Sequence, residues 1–136
     1  MKELAFRLRK NADLKQSLEQ SVQQQEIDTA VVLSAVGCLS KVKIRLAGAQ
    51  SYLEKQEDYE IVSLMGTLSK GKAHLHISLS DDKGNCIGGH LDYGCLINTT
   101  CEVVLGLLEE YESVRQMDES TGYKEIVFTR KCKEGE

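Results

Sequence analysis

Alternation of apolar and polar residues is the feature that most limits how this chain can fold. In the segment 73–80, AHLHISLS, Leu75, Ile77 and Leu79 alternate with other residues without a break. Successive side chains of a β-strand point to opposite faces, so the pattern predicts a strand with one apolar and one polar face. Further strands are predicted over residues 4–9, 42–46, 59–68 and 124–131.

One amphipathic helix interrupts the predicted strands. Leu14, Leu18 and Val22 recur at four-residue spacing, and Asp13 with Gln16 resembles a capping box. These residues predict a helix over roughly residues 13–25.

Two other segments bear on the topology. The run AVVLSAV, residues 30–36, is apolar at both parities, which predicts a strand covered on both faces, and Gly37 is expected to interrupt it. Asp82-Lys83-Gly84 predicts a turn that joins 73–80 to a short strand around Cys86. Segment 101–111 mixes helix and strand propensities, so its structure stays open on propensity alone.

Charge and cysteine content exclude some classes of protein. The net charge of -4 and pI near 5.4 argue against a surface-wide affinity for nucleic acid, although Lys41, Lys43 and Arg45 alternate onto one strand face. The five cysteines include no C-x-x-C pair, which predicts reduced, mostly buried thiols. No apolar run reaches the length of a membrane span, and we expect a cytoplasmic protein with a single domain over residues 1–136.

All three histidines lie in one short window, residues 74–90. On a strand, His74 and His76 point to the same face, and the Gly88-Gly89 pair precedes His90 on the adjoining segment. The glycines permit a bulge, unusual backbone angles or close approach of another chain segment. Three imidazoles that converge in this way suit zinc. The alternative is that His74 and His76 are solvated or serine-bonded side chains on a polar strand face.

Other side chains near this window are weaker candidates. Glu102 and Asp92 could supply a fourth ligand or a general base beside a metal, or they could be a surface carboxylate and a turn acceptor. Cys86, Cys95 and Cys101 could contribute thiolates, but buried apolar cysteine is the more common case.

Three stretches together resemble a known family. They are VVLSAVGCLSKVKIRLA, EDYEIVSLMGTLS and HLHISLSDDKGNCIGGHLDYGCLINTTCEVVL, and in this order they are similar to the plants and prokaryotes conserved domain, called PCC or PPC. The resemblance implies an α/β fold of the α+β type, with a central, mainly antiparallel sheet, a flanking helix and assembly as a homotrimer. It also implies a strand over 101–108, and a zinc ion bound by His74, His76 and His90.

The resemblance leaves two functions open. The first is a trimeric, DNA-associated or regulatory protein that acts by binding a partner. The plant relatives carry a basic R-G-R-P hook, and this chain has no proline, so we expect direct DNA binding no tighter than about 0.1 mM to 1 μM. The second is a small zinc-dependent enzyme of hydrolase or lyase type, with the three histidines holding the metal and Glu102 as the base.

Overall fold

The computed structural model describes residues 2–133 and 135. Within these residues, one helix and nine strands follow one another in the order β1 (Lys2–Arg9), α1 (Leu14–Gln24), β2 (Thr29–Arg45), β3 (Tyr52–Lys55), β4 (Tyr59–Ser69), β5 (Lys72–Ser80), β6 (Cys86–Leu91), β7 (Leu96–Leu107), β8 (Tyr111–Asp118) and β9 (Tyr123–Arg130).

The first seven strands form one antiparallel sheet. Its order is β1-β7-β2-β4-β5-β6, and β3 pairs with β2 off this path. A further pairing of β6 with β2, at Ile44 opposite Leu91 and Arg45 opposite His90, joins the last strand back to the middle of the sheet. The strands β2, β4, β5 and β6 therefore close into a small barrel. The predicted antiparallel sheet with one helix is confirmed.

The helix packs its apolar stripe into the same core as the strands. Leu14, Leu18 and Val22 are almost fully buried. The Asp13 side chain accepts a hydrogen bond from the backbone N–H of Gln16 at 3.0 Å, so the helix begins where the capping pattern predicts.

β2 differs from its prediction in two ways. It is one strand of 17 residues that continues through Gly37, and irregularities of register absorb the interruption. The expected cover on both faces is wrong within the chain: Ala30 and Val32 face the core, but Leu33 and Val36 remain 47% and 54% exposed. Apolar residues on both parities therefore do not mean that this chain buries both faces.

The last two strands form a separate hairpin, β8–β9. β9 was predicted, but β8 was not. The one buried residue of β8 is Ser113, whose hydroxyl lies 2.6 Å from Thr29 Oγ1 and 2.7 Å from Ser69 Oγ. These contacts hold the hairpin against β2 and β4.

The remaining expectations concern the segment after residue 100, the number of domains and membrane spans. Segment 101–107 belongs to β7, as the resemblance implied. The single domain over 1–136 stays a prediction, and residues 1, 134 and 136 lie outside the described part. Among the described residues, no helix is both long enough and apolar enough to span a membrane.

Candidate metal centre

The three histidines lie on the outer face of the barrel, on the paired strands β5 and β6. His76 is directly opposite His90 in the register, and His74 is two residues back along β5. The opposite face of β5 carries Leu75 and Ile77, which are buried in the core. The alternation that makes β5 a strand therefore also turns His74 and His76 outward together.

Gly88 and Gly89 place His90 because they allow three strands to approach closely. A Cβ atom at Gly88 would lie 2.7 Å from the carbonyl oxygen of Ile77 on β5, and one at Gly89 would lie 2.6 Å from that of Arg45 on β2. Of the uses expected for this pair, the structure shows close approach of neighbouring backbone. β6 can therefore pair with both strands, and His90 comes to lie between His76 and Arg45.

The geometry of the cluster fits a metal ion. One side-chain nitrogen from each histidine lies within 4.8 Å of the other two, and the ring centroids are 5.3, 5.3 and 5.7 Å apart. Around zinc, with Zn–N bonds of about 2.0–2.1 Å and tetrahedral angles, the nitrogens would be about 3.4 Å apart. In addition, His90 Nδ1 is buried and has no hydrogen-bond partner among the described residues. Small ring rotations would bring three imidazole donors onto one ion.

The surroundings keep two of these imidazoles neutral. Burial lowers the pKa of His90 to about 4, and the positive charges of Arg45 and Lys15 act in the same direction. Burial also lowers the pKa of His74, with help from His76 and Arg115. Neutral imidazole is the form that binds a metal, so protons compete little for these two side chains near neutral pH.

Two cavities adjoin the cluster. The larger, of about 700 Å³, is lined by His76, His90, Met65 and the loop after β2, and the smaller, of about 350 Å³, is lined by His74 and His90. Arg45 and Tyr123 line both. His90 also lines both, so the cluster lies where the two cavities meet.

The β8–β9 hairpin supplies the cavity residues that the sequence did not reveal. Arg115, Tyr123, Lys124 and Glu125 line the smaller cavity beside His74. Sequence patterns gave no reason to place them there, because the one buried residue of β8 is a serine and apolar residues such as Val114 and Val127 remain exposed.

The two carboxylates proposed from the sequence lie elsewhere. Glu102 is exposed on β7, opposite Val36 on β2 and Arg7 on β1, and lines neither cavity of the histidine cluster. The carboxylate of Asp92 accepts a hydrogen bond from the Tyr93 backbone N–H and lies 3.9 Å from Lys43 Nζ. Among the described residues, the group that converges on one point contains the three histidines alone.

The cysteines do not join the cluster either. Cys95 and Cys101 are buried, and burial raises the pKa of each thiol to about 11. Cys95 Sγ instead contacts the backbone N–H and carbonyl of Lys43 at 3.2 Å. Cys86 is exposed near the β5–β6 turn.

An antiparallel barrel with three outward histidines on neighbouring strands defines a class of small β proteins with a potential metal site. The family model named Plants and Prokaryotes Conserved (PCC) domain matches residues 1–109, and the chain belongs to this family. The match includes all three histidines and ends before β8.

Curated relatives place this domain within longer chains. The chain is 45% identical over 121 residues to the Bifunctional protein GlmU of Synechococcus sp. strain JA-3-3Ab. That match covers 89% of this chain and 20% of the relative. The chain thus spans about a fifth of the length of the relative it matches.

Solved structures share the whole architecture. A hypothetical protein from Salmonella enterica superposes with a TM-score of 0.92 at 32% identity, covering 96% of this chain and 95% of the other. A protein from Archaeoglobus fulgidus described as metal-containing has a TM-score of 0.77 at 30% identity, covering 93% and 94%. A DNA-binding candidate from Bacteroides thetaiotaomicron, at 18% identity, 93% and 91% coverage and a TM-score of 0.81, shares the fold alone.

Proposed function

We propose that this protein is a metal-binding PCC domain in which His74, His76 and His90 hold one divalent ion, zinc being the best match to three imidazole donors. The observation that carries the proposal is the convergence of three side-chain nitrogens within 4.8 Å of one another. The relative from Archaeoglobus fulgidus, described as metal-containing, supports metal binding by a protein of this fold.

The role of this chain's own residues is to hold and orient the ion. Structural zinc sites usually have four protein ligands, whereas three ligands leave one position for water or a bound molecule. When bound, such an ion supplies Lewis-acid and electrostatic stabilisation of an oxygen ligand. The two cavities beside the cluster provide space for that ligand.

The mode of action that we propose is partner binding by a homotrimer. The exposed apolar residues of β2 and β4 support an interface between copies: Leu33 is 47% exposed, Val36 54%, Val62 59% and Met65 60%. The family resemblance leads us to expect subunit contacts near the region 84–95 and near β4. The partner could be DNA only at low affinity, because the net charge is -4.

The open coordination position also supports a second function, that of a small zinc-dependent enzyme of hydrolase or lyase type. The exposed position of Glu102 on β7 does not support its role as the base. Glu125 is the carboxylate that lines the cavity with His74. Hydrolysis of a panel of p-nitrophenyl esters by the zinc-loaded protein, lost on removal of the metal, would favour this second function.

Metal analysis of the purified, untagged protein tests the proposed site. We expect one divalent ion per chain in the native protein and none in His76→Ala, because two imidazoles alone bind weakly. Ser78→Ala is the matched control: Ser78 lies two residues further along the same face of β5, and this variant should keep its metal. A His76→Ala variant that retains one ion per chain would refute the site.

A further inference from the structure

The charge around the histidine cluster is opposite to that of the chain. The smaller cavity is lined by three basic residues, Arg45, Arg115 and Lys124, and by one acidic residue, Glu125. The protein as a whole has a net charge of -4. Positive charges gathered at one cavity of an acidic protein favour an anionic ligand there.

We propose that this site binds a small phosphate monoester, with one phosphate oxygen at the open position of the metal and the other oxygens at Arg45 and Arg115. The inference rests on the proposed metal site, because the metal would hold the first oxygen. It adds the chemical class of the ligand and the residues that recognise it.

Arg115 carries the strongest observation. Its Nη2 atom is buried and has no hydrogen-bond partner among the described residues, although the residue lines the cavity beside His74. A buried donor of a charged group without a partner is costly, and a guanidinium matches phosphate oxygens in a bidentate manner. A bound phosphate would supply the missing acceptor.

Arg45 on β2 lines the same cavity. It ends β2, where it lies opposite His90 in the pairing with β6, and it lines both cavities. Among the described residues, neither Arg45 nor Arg115 forms a salt bridge, whereas Arg130 pairs with Glu110 at 2.8 Å. The two guanidiniums near the histidines therefore keep their charge available for a ligand.

The size and charge of the site favour a phosphate monoester over a simple carboxylate. The three basic side chains against Glu125 leave two positive charges, and the proposed divalent ion would add two more. This charge favours a phosphate dianion over a singly charged carboxylate. The larger cavity, about 700 Å³, is lined partly by Leu46, Met65 and Ile77, so it can accommodate an apolar organic group attached to the phosphate.

The test uses the zinc-loaded full chain after removal of free ion. Phenylphosphonate, a stable analogue of a phosphate monoester, is titrated by calorimetry, with benzoate as the singly charged comparison. The cobalt-substituted protein gives a second measurement, because an oxygen ligand that enters the metal's open position changes the visible absorption. We expect phenylphosphonate to bind more tightly than benzoate and to change the cobalt spectrum.

Variants separate this inference from the metal site itself. Arg115→Gln and Arg45→Gln should each keep one metal ion per chain and weaken phenylphosphonate binding by about tenfold or more, since a hydrogen bond to a charged group is lost. Arg7→Gln, a change of the same charge on exposed β1, should bind like the native protein.

Each outcome decides one proposal. A native protein without stoichiometric metal refutes the proposed function. Three outcomes with a stoichiometric metal would overturn only the phosphate inference. They are no phosphonate binding, phosphonate binding by both arginine variants as tight as by the native protein, and tighter binding of benzoate than of phenylphosphonate. Equal phosphonate binding by the metal-free protein would also overturn it, because the metal then takes no part.

Discussion

Gly88 and Gly89 allow the close strand approach that brings the third histidine of the window beside the other two. The alternation of β5 suffices to predict that His74 and His76 share a face, because strand geometry is local. The position of His90 depends on how closely β6 approaches β5 and β2, and this was predictable only as one of three uses of the glycines. The Gly88 contact, with the Ile77 carbonyl oxygen, lies within the β5–β6 hairpin, but the Gly89 contact, with the Arg45 carbonyl oxygen, joins residues far apart in the sequence.

At this scale we predict that Gly89→Ala impairs both the barrel and the metal site. The new Cβ atom would lie 2.6 Å from the Arg45 carbonyl oxygen, so β6 must move away from β2. Overpacking of this type costs about 1–3 kcal/mol of unfolding free energy. We expect a lower midpoint in urea, followed by circular dichroism because the chain has no tryptophan, and reduced metal content.

The control for this variant is Gly84→Asn. Nothing lies within 4 Å of a Cβ atom at Gly84, and asparagine tolerates its positive φ of 81°. Its stability should stay close to that of the native protein. If Gly89→Ala keeps full stability and full metal content, close approach at Gly89 does not position His90.

Among the elements, the β8–β9 hairpin was the one least predictable from the sequence. A strand is normally recognised by its buried apolar face, but the buried residue of β8 is Ser113. Its backbone N–H donates to Asp28 Oδ2 at 3.1 Å, and its hydroxyl contacts Thr29 and Ser69. Because polar contacts hold β8 in place, apolar patterns in the sequence predicted neither this strand nor the cavity residues that it carries, including Arg115.

The anchor predicts a dependence of stability on pH. Burial raises the pKa of Asp28, but hydrogen bonds from Lys70, Thr29 and the Ser113 backbone outweigh this and hold the pKa below its usual 3.8. The contribution of Asp28 is therefore present above pH 3.8 and is lost as the pH falls through the lower pKa of the folded state. Asp28→Asn should be less stable than the native protein at pH 7, and the difference should shrink below about pH 4.

Urea unfolding between pH 7 and pH 3 measures this difference. Asp82→Asn is the matched control, because Asp82 is exposed and makes no side-chain hydrogen bond among the described residues. The unfolding free energy of this control should differ little from that of the native protein at every pH. If the difference in unfolding free energy between Asp28→Asn and the native protein stays constant from pH 7 to pH 3, the lowered pKa of Asp28 is contradicted.

At the scale of the whole molecule, the exposed apolar residues of β2 and β4 are the feature that bears on assembly. The sequence predicted that residues 30–36 would be covered on both faces, and within one chain this is wrong. Periodicity reports that a face is apolar but does not say whether the same chain covers it. The fold class and most strands followed from local patterns and the family resemblance. The barrel closure and the hairpin depended on long-range contacts.

We predict a homotrimer in solution, with a mass by light scattering close to three times the chain mass of 15.1 kDa. Val36→Glu should lower the mass towards one chain, because a carboxylate would be buried in the contact without a partner. Val114→Glu, at a position on β8 that is 47% exposed, is the control and should keep the native mass. A concentration-independent mass near one chain for the native protein would refute the trimer.

The pairing of β6 with β2 also bears on when the protein could acquire its metal. All three proposed ligands belong to one hairpin, yet the carbonyl that Gly89 approaches belongs to Arg45, far upstream on another strand. A nascent or excised hairpin would lack the pairing of β6 with β2 and would be a poor chelator. A zinc finger folds around its ion, whereas this chain would bind its ion only after the barrel has closed. Preformed geometry would then help to select one metal among those present in the cell. Ligand affinity alone would favour copper.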